Sequence, residues 1–138
     1  AIQLYKMGFS VLATCLTDTG KHELLQQTQD LCQDETNSFH CIIVDVTNDD
    51  DINAMKAYLM QICSCKTPRA SLKLWSVINN AGIMKTAEFD LLTLDDFQTV
   101  FDVNLFGSIR ILKALLHQLR KTRNSRIINI VSAGILNP

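Results

Sequence analysis

Apolar residues along this chain form two patterns, short runs typical of buried strands and a spacing typical of helices. Mostly apolar runs predict four strands, at residues 9–15, 39–44, 74–78 and 126–131. Between them, apolar residues spaced three and four apart predict three helices, around residues 24–32, 52–62 and 97–119. Residues 1–8 have the pattern of the last turns of a helix, with Gly8 at the stop position. The predicted order is a helix end followed by β-α-β-α-β-α-β.

Turn and capping residues separate these elements. Residues 17–20 have turn chemistry, and residues 47–51 supply capping groups and first-turn acids. The segment 63–71, which contains Pro68, predicts a loop. Thr93 and Asp96 have the spacing of a capping box at the start of the longest helix.

The element order predicts an α/β fold built on a doubly wound, Rossmann-like parallel sheet. Near-continuous apolar strands are typical of a sheet that helices cover on both faces. The chain has 138 residues, which predicts one domain over residues 1–138. Crossovers between parallel strands are expected to be right-handed.

Composition excludes several classes of protein. The chain is 47% hydrophobic and 20% charged, as expected for a globular domain, and its net charge is −1. That balance predicts no nucleic-acid partner. The basic cluster at residues 120–126 ends a helical pattern, where cations oppose the negative helix end. No run approaches the roughly 20 apolar residues of a membrane span, and no secretory signal is visible.

Five cysteines form no regular disulfide framework: Cys15, Cys32, Cys41, Cys63 and Cys65. Three of them fall in apolar patterns, which predicts reduced thiols and an intracellular chain. Cys63 and Cys65 have no second cysteine pair or histidine cluster to complete a zinc site. We therefore predict no metal.

Polar and small residues follow each predicted strand. Asp18, Asp45, Asn79-Asn80 and Ser132 all lie at or just beyond a strand end. In an open α/β sheet, ligands bind outside the carboxyl ends of the strands, so these residues favour a ligand cleft. The alternative is that turn and cap residues simply belong at strand ends. Composition alone leaves both interpretations open.

Four segments in order resemble the short-chain dehydrogenase/reductase family. Asn79-Asn80-Ala81-Gly82 is similar to its NNAG motif, and Asp45-Val46 to the pair that approaches the adenine. Val103 to Gly107 resembles the V-N-x-x-G segment with the helical catalytic Asn. Residues 126–134 resemble the strand that delivers the catalytic Ser. The resemblance covers essentially the whole chain.

The resemblance implies two catalytic residues. Ser132 would hydrogen-bond the substrate oxygen during hydride transfer; alternatively it is a strand-end turn serine. Asn104 lies on the apolar side of its helical pattern, and we expect it to be buried. It would hold a proton-relay water, or bond backbone at a kink, and both can hold together.

The resemblance also implies a cofactor site. Asp45 and Val46 would contact the adenine, although Asp45 could instead cap a helix, a role that Thr47 could also fill. Asn80, Ala81 and Gly82 would line the cofactor ribose, their small size allowing close backbone approach. We expect Asn79 to tie neighbouring strands together.

The cofactor expected is NAD, with NADP not excluded. Cys15 and Leu16 occupy the positions where NAD users often carry an acid, Asp18 follows, and no Arg lies nearby. The opening segment GFSVLATCLTDTG is similar to the retinol, 17β-hydroxysteroid and 3-hydroxybutyrate dehydrogenase branch. That branch implies a lipid-like alcohol or ketone substrate. Its members include membrane-associated proteins of the endoplasmic reticulum and mitochondrial proteins, so both compartments stay open.

Two family motifs are absent from the sequence: the glycine-rich turn expected before Ala1 and the Tyr-x-x-x-Lys pair expected after Ser132. Neither Tyr5 nor Tyr58 is placed to substitute. We therefore expect a fragment, incomplete at both ends, that is inactive and marginally stable alone. The helix from Thr93 onward resembles the family's dimer-forming helix, which implies a homo-oligomer for the complete protein. The alternative is a non-catalytic dinucleotide-binding or scaffold protein with the same fold; a receiver or flavodoxin-like module does not explain NNAG.

Overall fold

The computed structural model describes residues 1–29, 31, 37–64 and 72–132. It divides into two compact units, Ala1–Leu72 and Lys73–Pro138. The prediction of a single domain stays a prediction. Within the residues that the structure describes, no helix is both long enough and apolar enough to cross a bilayer.

The first unit contains two parallel strands and three helices. In chain order these are α1 (Ile2–Lys6), β1 (Val11–Cys15), α2 (Asp18–Gln29), β2 (Phe39–Ile43) and α3 (Asp49–Ser64). Strands β1 and β2 pair in parallel, with Ala13 opposite Cys41. Apolar residues from both strands, the helices and the β2 exit form its core: Tyr5, Ala13, Cys41, Val44, Ile52, Met55 and Leu59.

Side chains of known preference set the ends of these elements. Gly8 follows α1 with a positive φ of 88°, a conformation that favours glycine. Asn48 begins α3, since its Oδ1 accepts hydrogen bonds from the backbone N–H groups of Asp50 at 2.9 Å and Asp51 at 3.4 Å. Three acids in the first turn of α3 oppose its dipole. The cap of α3 is therefore Asn48, and neither Asp45 nor Thr47 takes that role.

The second unit also contains a parallel strand pair. Its elements are β3 (Ser76–Asn79), a 3₁₀ turn (Phe89–Leu91), α4 (Leu94–Phe101), a π-helical segment (Asp102–Gly107), α5 (Ser108–Leu119) and β4 (Arg126–Asn129). Strands β3 and β4 pair in register, with Asn79 opposite Asn129. Helix α5 packs against β3 and buries Ile111, Leu115 and Leu119.

Two expectations were wrong in the second unit. The helix predicted at residues 97–119 is not one regular helix, because the π segment interrupts it. Covered strand faces were predicted throughout, but all four residues of β4 are exposed. Helix α5 packs on β3 and leaves the aliphatic side chains of β4 open. Part of the predicted loop at 63–71 and the helical position of Cys32 lie outside the described residues.

Candidate active site

The site begins where β3 ends, at a pair of asparagines that bridge two strands. Asn79 is 9% exposed, and its Nδ2 donates to Oδ1 of Asn129 at 2.8 Å. The backbone continues the ladder, since the Ile130 N–H donates to the Asn79 carbonyl at 2.9 Å. This side-chain bond satisfies a buried amide and ties β3 to β4. The prediction that Asn79 braces the sheet is confirmed.

The chain leaves β3 in an exposed loop that holds three of the predicted cofactor residues. Residues 80–91 are exposed without exception, and Asn80, Ala81 and Gly82 open this stretch. The Phe89 ring packs against Phe97, with centroids 5.9 Å apart, and hydrogen bonds to side chains help to define the path of the loop elsewhere. Two such tethers are present, one at Ile83 and one at Lys85.

The first tether is the side chain of Asn104, which lies in the π segment. Its Oδ1 accepts from the backbone N–H of Ile83 at 2.8 Å, and its Nδ2 donates to the Ile83 carbonyl at 2.9 Å. The amide therefore bonds both backbone polar groups of one residue, as a residue of a neighbouring strand would. A π segment is often found at functional sites and re-aims the side chains on a helix.

The position of Asn104 both corrects and confirms the sequence analysis. The expectation that it is buried was wrong, because Asn104 is exposed. The expectation of an amide bonded to backbone is confirmed, and Asn104 makes that bond from the π segment. Helical periodicity placed Asn104 on the apolar side because it assumed a regular helix through residues 102–107.

The second tether is an ion pair between Lys85 and Asp96. Asp96 also accepts from the backbone N–H of Thr93 at 2.9 Å and from its hydroxyl at 2.7 Å, which completes the predicted capping box at the start of α4. The Lys85 ammonium, hydrogen-bonded to Asp96, holds the pKa of that carboxyl well below its ordinary value, and Thr93 adds to the effect. Sequence analysis missed Lys85, since nothing local relates it to a residue eleven positions on.

Gly82 lies beside Asn104 without a backbone reason to be glycine. Its φ is not positive, in contrast to that of Gly8. A Cβ built on Gly82 would meet Oδ1 of Asn104 at 3.5 Å, an ordinary van der Waals contact. The fold would therefore accept alanine here. A glycine that the fold does not need is consistent with space kept for a ligand close to the backbone.

Ser132 and Asn104 line the same cavity, of about 290 Å³, in the second unit. Its other lining residues are mostly apolar, with one ion pair: Ile83, Met84, Lys85, Leu92, Asp96, Phe97, Val100 and Phe101. A mostly apolar cleft with a few convergent polar groups is the usual form of a small-molecule site. The two predicted catalytic residues thus line one cavity, although the chain separates them by 28 positions.

Asp45 and Val46 lie in the first unit, after β2. Oδ1 of Asp45 accepts from the Thr47 N–H at 2.8 Å and from the Thr47 hydroxyl at 2.7 Å, which closes a tight turn. The Asp45 N–H donates to Oδ2 of Asp51 at 2.8 Å. These bonds fix the backbone just after β2, where Val46 is half-buried.

Both tyrosines of the first unit, and His40, have structural partners. Tyr5 is 3% exposed and packs edge-to-face on Phe39, with ring centroids 5.4 Å apart. The hydroxyl of Tyr58 and Nδ1 of His40 are 3.0 Å apart, and burial lowers the pKa of His40. Neither tyrosine lies at the end of a strand, where a catalytic acid or base would be expected.

Two cysteines lie side by side on β1 and β2. The sulfurs of Cys15 and Cys41 are 3.5 Å apart. Burial, and then the neighbouring Cys15 thiol, raises the pKa of Cys41 to about 11. Burial also raises the pKa of Cys63. Cys65 lies outside the described residues, among which no group of three potential metal ligands occurs.

The family model described as short chain dehydrogenase matches residues 1–138. Human retinol dehydrogenase 16 is 37% identical over 133 residues, which cover 96% of this chain and 38% of the human protein. Rat 17-beta-hydroxysteroid dehydrogenase type 6 is 33% identical over 133 residues, with coverage of 96% and 38%. The chain therefore spans 38% of the length of these relatives.

Solved structures of the same class superpose on this chain. A short-chain dehydrogenase from Streptomyces avermitilis has a TM-score of 0.76 at 23% identity, covering 96% of this chain and 43% of its own. Serine dehydrogenase from Escherichia coli has a TM-score of 0.71 at 24% identity, covering 99% and 56%. These likenesses, together with the two parallel strand pairs, confirm the predicted α/β Rossmann-like fold class.

Proposed function

The chain belongs to the short chain dehydrogenase family, and we propose that it is part of an enzyme that interconverts an alcohol and a ketone with a nicotinamide cofactor. The observation that carries this proposal is the single cavity that Ser132 and Asn104 both line. The coverage of 38% of the relatives' length leaves room for the Tyr-x-x-x-Lys pair and the glycine-rich turn in the rest of the protein.

Ser132 is proposed to orient the substrate. Its hydroxyl donates a hydrogen bond to the substrate oxygen, which holds the reacting carbon in place while charge changes at that oxygen. A nicotinamide cofactor, when bound, would supply the hydride acceptor or donor. The cavity that contains Ser132 is mostly apolar, which suits the carbon skeleton of a substrate around the reacting oxygen.

Asn104 is proposed to act by holding the Ile83 backbone. Its amide accepts from the Ile83 N–H and donates to the Ile83 carbonyl, which fixes the loop wall of the cavity that Ser132 also lines. The Ile83 carbonyl has two lone pairs and accepts one bond from Asn104, so it has capacity for a relay water as well. Positioning and proton relay are therefore compatible at this residue.

The cofactor ribose is proposed to lie along Asn80, Ala81 and Gly82. The exposure of all three and the unneeded glycine at 82 support a surface that a ligand approaches closely. We propose that Asp45 and Val46 contact the adenine, with the Thr47 turn fixing their backbone. NAD is favoured over NADP because Asp18, and no arginine, follows β1.

A lipid-like substrate is proposed from the chemistry of the cavity. Ile83, Met84, Leu92 and two phenylalanines supply an apolar wall that suits a hydrocarbon ring or chain. Retinol dehydrogenase 16 and 17-beta-hydroxysteroid dehydrogenase type 6 are relatives whose names specify such molecules. We therefore propose a retinoid, a steroid or a similar alcohol or ketone.

The complete protein is proposed to be a homo-oligomer through α4, the π segment and α5. Large apolar side chains are exposed along this stretch: Leu94, Phe101, Leu105, Phe106 and Ile109. A depression of about 560 Å³ lies along α4 and the π segment and contains neither Ser132 nor Asn104. Phe101 also lines the cavity that contains Ser132, so this exposed apolar face borders the site, and an exposed apolar face favours a protein contact.

The decisive variant is Ser132→Ala in the full-length protein. With NAD and a panel of retinoid and steroid alcohols, we expect kcat to fall by about 10²–10³-fold, as for loss of a donor to a developing oxyanion. Ser64→Ala is the matched control, because the Ser64 hydroxyl bonds only the nearby Met60 carbonyl among described groups, and kcat should not change. Full activity in Ser132→Ala would contradict the role of Ser132. NAD binding without turnover of any alcohol or ketone would favour the scaffold function instead.

A further inference from the structure

Arg110 hydrogen-bonds the first residue of the π segment from two turns further along the helix. Its Nη2 donates to Oδ1 of Asp102 at 2.7 Å, and its Nη1 donates to the Asp102 carbonyl at 3.3 Å. One guanidinium thus holds both the side chain and the backbone of the residue at which the helix changes its hydrogen-bond pattern. The planar fork of arginine allows this two-point contact, which a lysine cannot reproduce.

The π segment that Arg110 contacts also contains Asn104. Asp102 is the first residue of the π segment and Gly107, its last residue, is buried. Asn104 lies two residues after Asp102 and bonds both the N–H and the carbonyl of Ile83. A shift of the segment would therefore move the Asn104 amide away from the Ile83 backbone.

The exposure of the pair indicates that its purpose is not global stability. The side chains of Arg110 and Asp102 are 28% and 42% exposed, and ion pairs in such settings contribute little to the free energy of unfolding. A regular helix would need no such brace, because its own backbone bonds fix the side-chain directions. The π segment gives up that regularity at the residues that position Asn104.

We propose that Arg110 is a positioning residue for the reaction. It fixes the π segment through Asp102, so that Asn104 holds the Ile83 backbone at the wall of the cavity that contains Ser132. The proposal rests on the proposed dehydrogenase function. It adds a residue that touches neither substrate nor cofactor and acts through Asn104.

The test is a double-mutant cycle in the full-length protein, with kcat as the readout. Arg110→Met should lower kcat by about 10–100-fold, the range expected when a supporting change misplaces a reacting group, and leave the urea midpoint unchanged. In an Asn104→Ala background, the same substitution should cause no further loss, because both changes remove one tether. Arg110→Lys should recover part of the loss.

Arg126→Met is the matched control. The Arg126 guanidinium also bonds backbone carbonyls, those of Asn124 at 2.7 Å and Ser125 at 3.3 Å, but these lie beside it in the chain and not in the site. Its kcat should equal that of the unmodified protein. Effects of Arg110→Met and Asn104→Ala that multiply would overturn the proposal while leaving the dehydrogenase function intact. Ser132→Ala is tested alongside, and its loss of activity reports on the dehydrogenase function alone. A failure of the Arg110 proposal is thereby distinguished from a failure of that function.

Discussion

The two units of the chain differ in what they leave open to solvent. Among the residues that the structure describes, the first unit exposes four large hydrophobic side chains and the second exposes fifteen. The first unit buries residues from both strands and from α3, whereas the second buries residues mainly in β3 and α5. All candidate catalytic groups lie in the second unit, beside exposed apolar surface.

This contrast shows how each unit holds its shape. Apolar burial orders most of the first unit, and its polar side chains serve turns and caps, as Asp45 and Asn48 do. In the second unit, discrete polar tethers order the exposed loop after β3, through Asn104 at Ile83 and Lys85 at Asp96. A surface ordered by a few hydrogen bonds can keep its walls free to contact a ligand.

The largest expected effect tests whether the second unit has a real core of its own. Leu119 is 2% exposed at the end of α5. Leu119→Ala should lower the free energy of unfolding of the full-length protein by about 2–5 kcal/mol, since it removes buried methyl groups and leaves a cavity. The measurement is urea unfolding followed by circular dichroism.

Leu105→Ala is the control for this prediction, because Leu105 is 45% exposed in the π segment. It should change the free energy of unfolding by less than about 1 kcal/mol. Equal losses for the two variants would mean that the exposed face of the second unit is as important for stability as its interior.

A second prediction concerns the thiols, all five of which lie in residues 1–72. Since the pKa of Cys41 is raised from 9.0 to about 11, its thiolate fraction at pH 8 should be about a hundredfold below that of an ordinary cysteine. Iodoacetamide labelling of Cys41, measured by peptide mass spectrometry, should be slower by a similar factor and should rise about tenfold per pH unit.

The sign of the linked stability change follows from the same shift. The fold prefers the neutral Cys41 thiol, so its contribution is fully present below pH 9 and is lost as the pH rises toward 11. Labelling in urea is the control, where all cysteines should react alike. Equal rates for Cys41 with and without urea would show that the interior of the first unit is open to the reagent.

The smallest expected change in stability compares one glycine from each unit. Gly82→Ala should alter the free energy of unfolding by less than about 0.5 kcal/mol, because its Cβ meets Asn104 only at ordinary contact distance. It should nevertheless weaken NADH binding to the full-length protein, measured by cofactor fluorescence, because the added methyl group would occupy the space where the cofactor is proposed to approach the protein backbone.

Gly20→Ala is the counterpart within α2 of the first unit, where alanine is a better helix former than glycine. It should raise the free energy of unfolding by about 0.4–1 kcal/mol. Unchanged NADH affinity in Gly82→Ala would argue against the proposed ribose contact. A large loss of stability in that variant would show that the fold itself needs the glycine.

Local signals in the sequence were enough for the element order and for some contacts. Short apolar runs located all four strands to within two residues at either end, because such runs are typical of strands in a parallel sheet. The capping box of Thr93 and Asp96 followed from residue types at a fixed spacing. The Asn79 brace followed from a polar residue placed on a core strand.

Contacts between distant residues needed the tertiary structure. Asn104 meets Ile83 across 21 positions, and Lys85 meets Asp96 across 11, with no repeating pattern to indicate either pair. The π segment was also missed, because periodicity averages over several turns and does not register one irregular turn. The sequence by itself determined which residues have the chemistry, since side-chain type and local period are properties of the chain. Which of those residues meet, and at what angle, was decided by loop closure and helix irregularity, which exist only once the chain has folded.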